Sequence, residues 1–164
     1  MNDPTQPQPP PFVRAWMNRE PGRLIGKGHP AGDFLEAYDW KVIEERAGLL
    51  RIQAHVPAHV KNPRGQLFGG FTPIYVDLVA LFTIRTGELR QPTGFRTWLA
   101  TTNMRVDYFE PIVGPEFVIE SRIVKKRGRT HFVETCCYDP EDSLAVFALT
   151  TIREVKLDQP LGDG

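Results

Sequence analysis

From Phe71 to Thr86 the chain reads as one helix too apolar to face water, and that constrains what the rest of the sequence must build around it. Pro73 has no amide hydrogen and fits only a first turn, so the helix begins close to Gly69–Thr72. It ends near Thr86 and Gly87, where glycine can take the left-handed closing conformation. Phe71, Ile74, Tyr75, Leu78 and Phe82 form an apolar stripe, while Gly70, Pro73, Asp77 and Ala80 fall on a second, narrow face of small side chains.

The segments on either side supply strands to cover that helix. Trp40 to Glu45 and Leu50 to Val56 read as a hairpin turning near Ala47 and Gly48. After the helix a long loop leads to Asn103–Phe109, where Met104, Val106 and Tyr108 alternate with Asn103, Arg105 and Asp107. Phe117 to Val124, Thr130 to Tyr138 and Leu144 to Ile152 follow, separated by Gly128 and by Asp139-Pro140. The last is apolar on both faces and should be central or covered on both sides. The expected architecture is α+β: a hairpin, one long helix, and a four-strand antiparallel meander wrapping it.

Ahead of this domain, residues 1–11 carry five prolines and should be extended or disordered. Phe12 to Asn18 reads as a short helix, and Pro21 to Asp33, with its glycines, as a loop packed on the domain. The expected division is therefore a tail over 1–11, a helix and loop over 12–32, the domain over 33–156 and a flexible tail over 157–164.

Twenty basic and twenty acidic residues cancel, so no overall field draws in nucleic acid or an anionic membrane. No segment is long and apolar enough to span a bilayer, no signal core opens the chain, and the adjacent Cys136 and Cys137 point to opposite faces of a strand. The expectation is a cytoplasmic protein without a structural disulfide. His55 and His59 are separated by Pro57 at a strand end and do not make a metal pair. Neither Ser121 nor Ser143 sits in a nucleophile elbow.

Chemistry concentrates between Asn62 and Asp77. The first amides of a helix lack internal partners, so Gly69 and Gly70 can present N–H groups to a carbonyl oxygen as its charge develops. Asp77, two turns on, is either a solvated or paired helix acid or a catalytic carboxylate. Lys125-Lys126-Arg127-Gly128-Arg129 is the densest basic run, suited either to phosphate or to a solvated hairpin tip.

The run Asn62, Gly65, Phe68, Gly69, Gly70, followed by Asp77, resembles the signature of hotdog-fold acyl-CoA thioesterases of the phenylacetate-degradation (PaaI-like) group. Met104 to Pro111 is similar to the family's strand after the helix, and Gly128-Arg129-Thr130 to its later hairpin, so the resemblance spans roughly residues 33–155. It implies a hotdog fold and hydrolysis of a small, medium or aromatic acyl-CoA. It implies no cofactor, with CoA present only as part of the substrate. It further implies a homodimer or dimer of dimers, in which one subunit's helix entrance meets the other's acid. On this reading Asp77 is general base or nucleophile, and Gly69 and Gly70 hold the thioester oxygen. Asn62 orients the loop or the attacking water, and Thr101 holds that water near Asp77. Gly65, Phe68, Lys126, Arg127 and Arg129 contact substrate. The family commonly has His where this chain has Phe68, which points to a bulkier or aromatic acyl group or to a subgroup with weak activity or none. The alternative is a non-catalytic acyl-CoA-binding or sensing module on the same scaffold. A hotdog dehydratase is a weaker third reading, since no Asp and His pair has the spacing for it.

Overall fold

The computed structural model describes residue 15, residues 18–86 and residues 97–156. The expected tails, most of the expected helix over 12–18, the Gly87 cap and the loop over 87–96 lie outside the described residues. The elements in chain order are α1 (Pro30–Phe34), β1 (Lys41–Arg46), β2 (Leu49–His55), α2 (Thr72–Arg85), β3 (Thr97–Tyr108), β4 (Glu116–Arg127), β5 (Thr130–Tyr138) and β6 (Leu144–Lys156). The six strands form one antiparallel sheet in the order β1-β2-β4-β5-β6-β3, and α2 packs against β2, β3, β4, β5 and β6. This is the α+β hotdog arrangement, a sheet wrapped around one long helix.

Helix α2 starts where Pro73 places it, one residue into the first turn. It is buried almost all round, at Thr72, Tyr75, Val76, Leu78, Val79, Ala80, Phe82, Thr83 and Ile84. The less buried line is Pro73, Ile74, Asp77, Leu81 and Arg85. Ala80 therefore does not share a face with Asp77 as expected; it packs with Ile84, Leu99, Val133 and Ile152. One helix turn is 3.6 residues, so a three-residue step carries Ala80 far enough round to meet the sheet. At the far end Thr86 accepts the Gly48 N–H at 2.8 Å, pinning the helix to the β1–β2 turn. That turn needs Gly48, whose φ is +76°.

Around the N-terminal half of α2, Trp40 lies fully buried and stacks on Tyr75 with ring centres 5.2 Å apart. Tyr75 in turn meets Phe117 and donates its hydroxyl to the His55 carbonyl at 3.0 Å. Burial, with the Glu36 charge adding to it, pushes the Tyr75 phenol well above its ordinary range, so it remains a neutral donor. Truncating a buried aromatic such as Trp40 to alanine costs about 3–5 kcal/mol.

The sheet departs from the expected meander. Of the four strands after α2, β4, β5 and β6 run as consecutive neighbours, but β3 lies beyond β6, and the hairpin enters through β2 beside β4. Consecutive order on paper favoured a β3–β4 pair, but the connection from Phe109 to Pro115 carries the chain to the other side of the sheet. β6 is interior to the sheet order, as expected, although Leu149 on its outer face is 38% exposed. A second departure is α1: the stretch expected as loop contains a short helix, capped by His29, whose Nδ1 accepts the Gly32 N–H at 3.1 Å. The preceding Leu24 and Ile25 are buried, so this stretch is packed on the domain. None of the described helices is long and apolar enough to cross a membrane.

Candidate active site

The loop entering α2 is organised by Asn62. Its Oδ1 accepts the N–H groups of Arg64 (2.9 Å) and Gln66 (3.1 Å), and its Nδ2 donates to Gln66 Oε1 at 3.1 Å. Gly65 completes the turn at φ +76°. Three hydrogen bonds thus commit the Asn62 amide to the loop. Leu67 and Phe68 then tie the loop down, donating to Ile112 (3.0 Å) and Val60 (2.9 Å).

Beyond that anchor the Gly69 and Gly70 N–H groups find no acceptor among the described residues. The two glycines are not equivalent. A Cβ at Gly70 would stand 2.7 Å from Phe68 Cε1, because the Phe68 ring lies over it, whereas at Gly69 it would meet only Tyr108 Cε1 at an ordinary 3.6 Å. Phe68, 52% exposed, begins a run of aromatic contacts: Phe68 to Phe71 at 5.7 Å, Phe71 to Phe34 at 5.6 Å, Phe34 to His59 at 5.1 Å. The cavity beside the entrance, lined by Leu67, Gly69, Thr72, Tyr108 and Ile112 among others, holds about 40 Å³, room for water rather than an acyl chain.

Asp77 is partly exposed on α2 and forms no ion pair among the described residues; its Oδ1 accepts the Thr101 hydroxyl at 2.5 Å. The Thr101 side chain comes from β3, where a bulge between Thr101 and Asn103 breaks the regular pairing with β6. Oδ2 has no donor among the described residues. A carboxylate with one oxygen fixed and one free can take a proton from water or attack a carbonyl.

The basic residues divide. Lys126 donates to Glu154 Oε1 at 3.0 Å, and His131 meets the same oxygen at 2.5 Å. Burial raises the Glu154 carboxyl, but the His131 and Lys126 bonds outweigh it and hold it below the usual carboxylate range. Arg127 and Arg129 flank Gly128 at the hairpin tip and form no ion pair among the described residues. Arg129 lines an open cleft of about 410 Å³ together with Arg153, Glu154, Val155 and Lys156. The structure therefore brings Asp77 to Thr101, and Phe68 to Gly70, with Asp77 on α2 and the glycines before its start. It also shows a residue that sequence reasoning passed over: Tyr108 donates its hydroxyl to the Gly69 carbonyl at 2.8 Å. Its alternation with Met104 and Val106 marked it only as an apolar strand position. His55 and His59 go to Glu36 and to the Phe34 carbonyl, and no group of three or more metal-ligating side chains occurs among the described residues.

A family profile described as the thioesterase superfamily matches residues 64–146, a span that contains Gly69, Gly70, Asp77 and Thr101. No curated protein sequence gives a significant match. Among solved structures, the chain is similar to a thioesterase from Haemophilus influenzae at 12% identity, covering 79% of this chain and 85% of that one, with a TM-score of 0.64. It is similar to a hypothetical thioesterase from Streptococcus pneumoniae solved with coenzyme A, at 13% identity over 74% and 89% of the two chains, with a TM-score of 0.62. Zebrafish thioesterase superfamily member 2 follows at 18% identity, 72% and 82% coverage and a TM-score of 0.59. At these identities the likeness is one of fold.

Proposed function

The chain belongs to the thioesterase superfamily, and from that membership we propose that it hydrolyses acyl-CoA thioesters, with Asp77 and the Gly69 and Gly70 amides as its machinery. The observation that carries the proposal is Asp77 itself, neither fully buried nor salt-bridged, with Oδ1 held by Thr101 and Oδ2 open. In one route Asp77 takes a proton from water as the water oxygen adds to the thioester carbon. In the other Asp77 adds directly, giving an anhydride that water then opens. In both, the carbonyl oxygen becomes an oxyanion facing the glycine N–H groups, and the carbon–sulfur bond breaks to release the CoA thiolate. Each amide donor of this kind is worth about 2.7–4 kcal/mol in the transition state.

One chain does not hold both halves of the site. Asp77 stands five residues beyond Thr72, about 7.5 Å along the helix, and Gly69 and Gly70 lie before that start, too far for one thioester carbonyl to meet both. A second copy supplies the missing half, and the sheet offers the means. The β1 edge is short and charged, with Glu44, Glu45 and Arg46, as edges that avoid pairing are. The β3 edge runs from Thr97 to Tyr108 with only Arg105 and Asp107 charged, a template for pairing with itself. The unit is accordingly a homodimer or a dimer of dimers.

Within the superfamily we assign the chain to the PaaI-like group with an aromatic acyl substrate, supported by the Phe68, Phe71 and Phe34 rings around the entrance. Arg129, Arg153 and Lys156 suit the CoA phosphates, with Lys126 held back by Glu154. A cytoplasmic setting fits the substrate and the two free thiols. Free-thiol release from short, medium, long and aromatic acyl-CoAs tests the proposal. Turnover fastest on an aromatic acyl group supports it, whereas tight binding without release from any of them makes the protein a binding module.

A further inference from the structure

We propose that Tyr108 is a positioning residue that aims the Gly70 N–H at the substrate; this rests on the thioesterase reading above and adds to it the group that sets the oxyanion donor. The Tyr108 hydroxyl and the Thr72 N–H both donate to the Gly69 carbonyl, at 2.8 Å and 3.2 Å. That carbonyl shares a peptide plane with the Gly70 N–H. The described chain contains no cis peptide, and in a trans peptide the N–H points opposite to the C=O. Fixing the Gly69 oxygen on the Tyr108 side therefore turns the Gly70 hydrogen outward from it.

Such a clamp is needed because of what surrounds the peptide. Gly69 and Gly70 have no Cβ to restrict rotation, both are exposed, and neither N–H has an acceptor among the described residues to hold it in place. The Thr72 bond alone is long and belongs to the helix turn. Phe68 restrains Gly70 from the side through its ring, but a ring contact leaves the peptide plane free to flip. Among the described residues, the Tyr108 hydroxyl is the one side-chain donor to this peptide. It comes from the end of β3, 39 residues away, so it also ties the helix entrance to the strand that carries Thr101.

Tyr108→Phe removes the hydroxyl and keeps the ring contact, and since Tyr108 is 51% exposed the fold tolerates the change. Two readouts decide. In the crystal structure of Tyr108→Phe, the Gly69–Gly70 peptide is expected to be rotated or to occupy two orientations. On the best acyl-CoA substrate, kcat is expected to fall about 10- to 100-fold, less than the full loss of an oxyanion donor, with KM within about twofold of wild type. An unmoved peptide, or an unchanged kcat, overturns the proposal. The Asp77→Asn variant separates this failure from that of the thioesterase reading. Full Tyr108→Phe activity beside a dead Asp77→Asn sinks only the clamp, whereas full activity of Asp77→Asn sinks the reading while the peptide orientation still reports on Tyr108.

Discussion

The Thr101 hydroxyl donates to Asp77 Oδ1 at 2.5 Å, so the edge strand fixes one oxygen of the helix carboxylate and leaves the other for chemistry. A hydrogen bond to a charged group is worth about 1.5–3 kcal/mol, and its loss frees the carboxylate to rotate. Thr101→Val should lower kcat about 10- to 100-fold, while Thr101→Ser, which keeps the donor, should stay within a few-fold of wild type. Equal losses in the two variants would mean that Thr101 matters for its packing and not for its hydroxyl.

Gly70 is required by Phe68, not by its own backbone. Gly70→Ala places a methyl 2.7 Å from the ring edge, and the exposed ring must swing off the entrance. The expected cost in stability is under about 1 kcal/mol, but KM for an aromatic acyl-CoA should rise. In a Phe68→Ala background the same Gly70→Ala change should leave KM unmoved, and Gly69→Ala should be mild in either. Strictly additive effects on KM would contradict the contact.

The cap of α1 is sensitive to acid. Burial lowers the His29 pKa below its ordinary value of about 6.5, with Asp33 opposing in part. The unfolded chain thus takes up the proton first, so the His29 contribution is complete above about pH 6.5 and is lost as pH falls below that toward the folded value. Protonation also removes the Nδ1 lone pair that accepts the Gly32 N–H. Urea unfolding at pH 7.5 and 5.5 should show wild type losing up to about 1 kcal/mol more than His29→Asn, whose amide oxygen caps without titrating. Identical pH slopes would remove His29 from the account.

Association should govern activity. Asn103 and Arg105 are exposed on the β3 edge, and the double change Asn103→Glu with Arg105→Glu sets like charges along it. Sedimentation should show wild type as a dimer or tetramer and the variant dissociating on dilution, with activity per subunit falling in step. A fully active monomer would overturn the two-copy site.

Local signals were legible in the sequence and distant ones were not. Pro73, Gly48 and Gly128 fixed the helix entrance and two hairpin turns, because each imposes or permits a backbone angle by itself. β5 was found over Thr130–Tyr138, since its alternation is bounded by turn residues. The place of β3 beside β6 is not legible there, because alternation says which face a side chain takes and not which strand lies alongside. The Tyr108–Gly69 bond was missed for a similar reason: 39 residues separate its partners. Thr101 was reached only through the family resemblance; nothing in its own neighbourhood distinguishes it from Thr102.

Whether Asp77 acts on the thioester is read from thiol release by Asp77→Asn, matched to wild type in fold and oligomeric state. The expected result is a fall in kcat of about 10²- to 10⁴-fold with binding of acyl-CoA retained. A variant that turns over within a few-fold of wild type would show that the chemistry is done elsewhere.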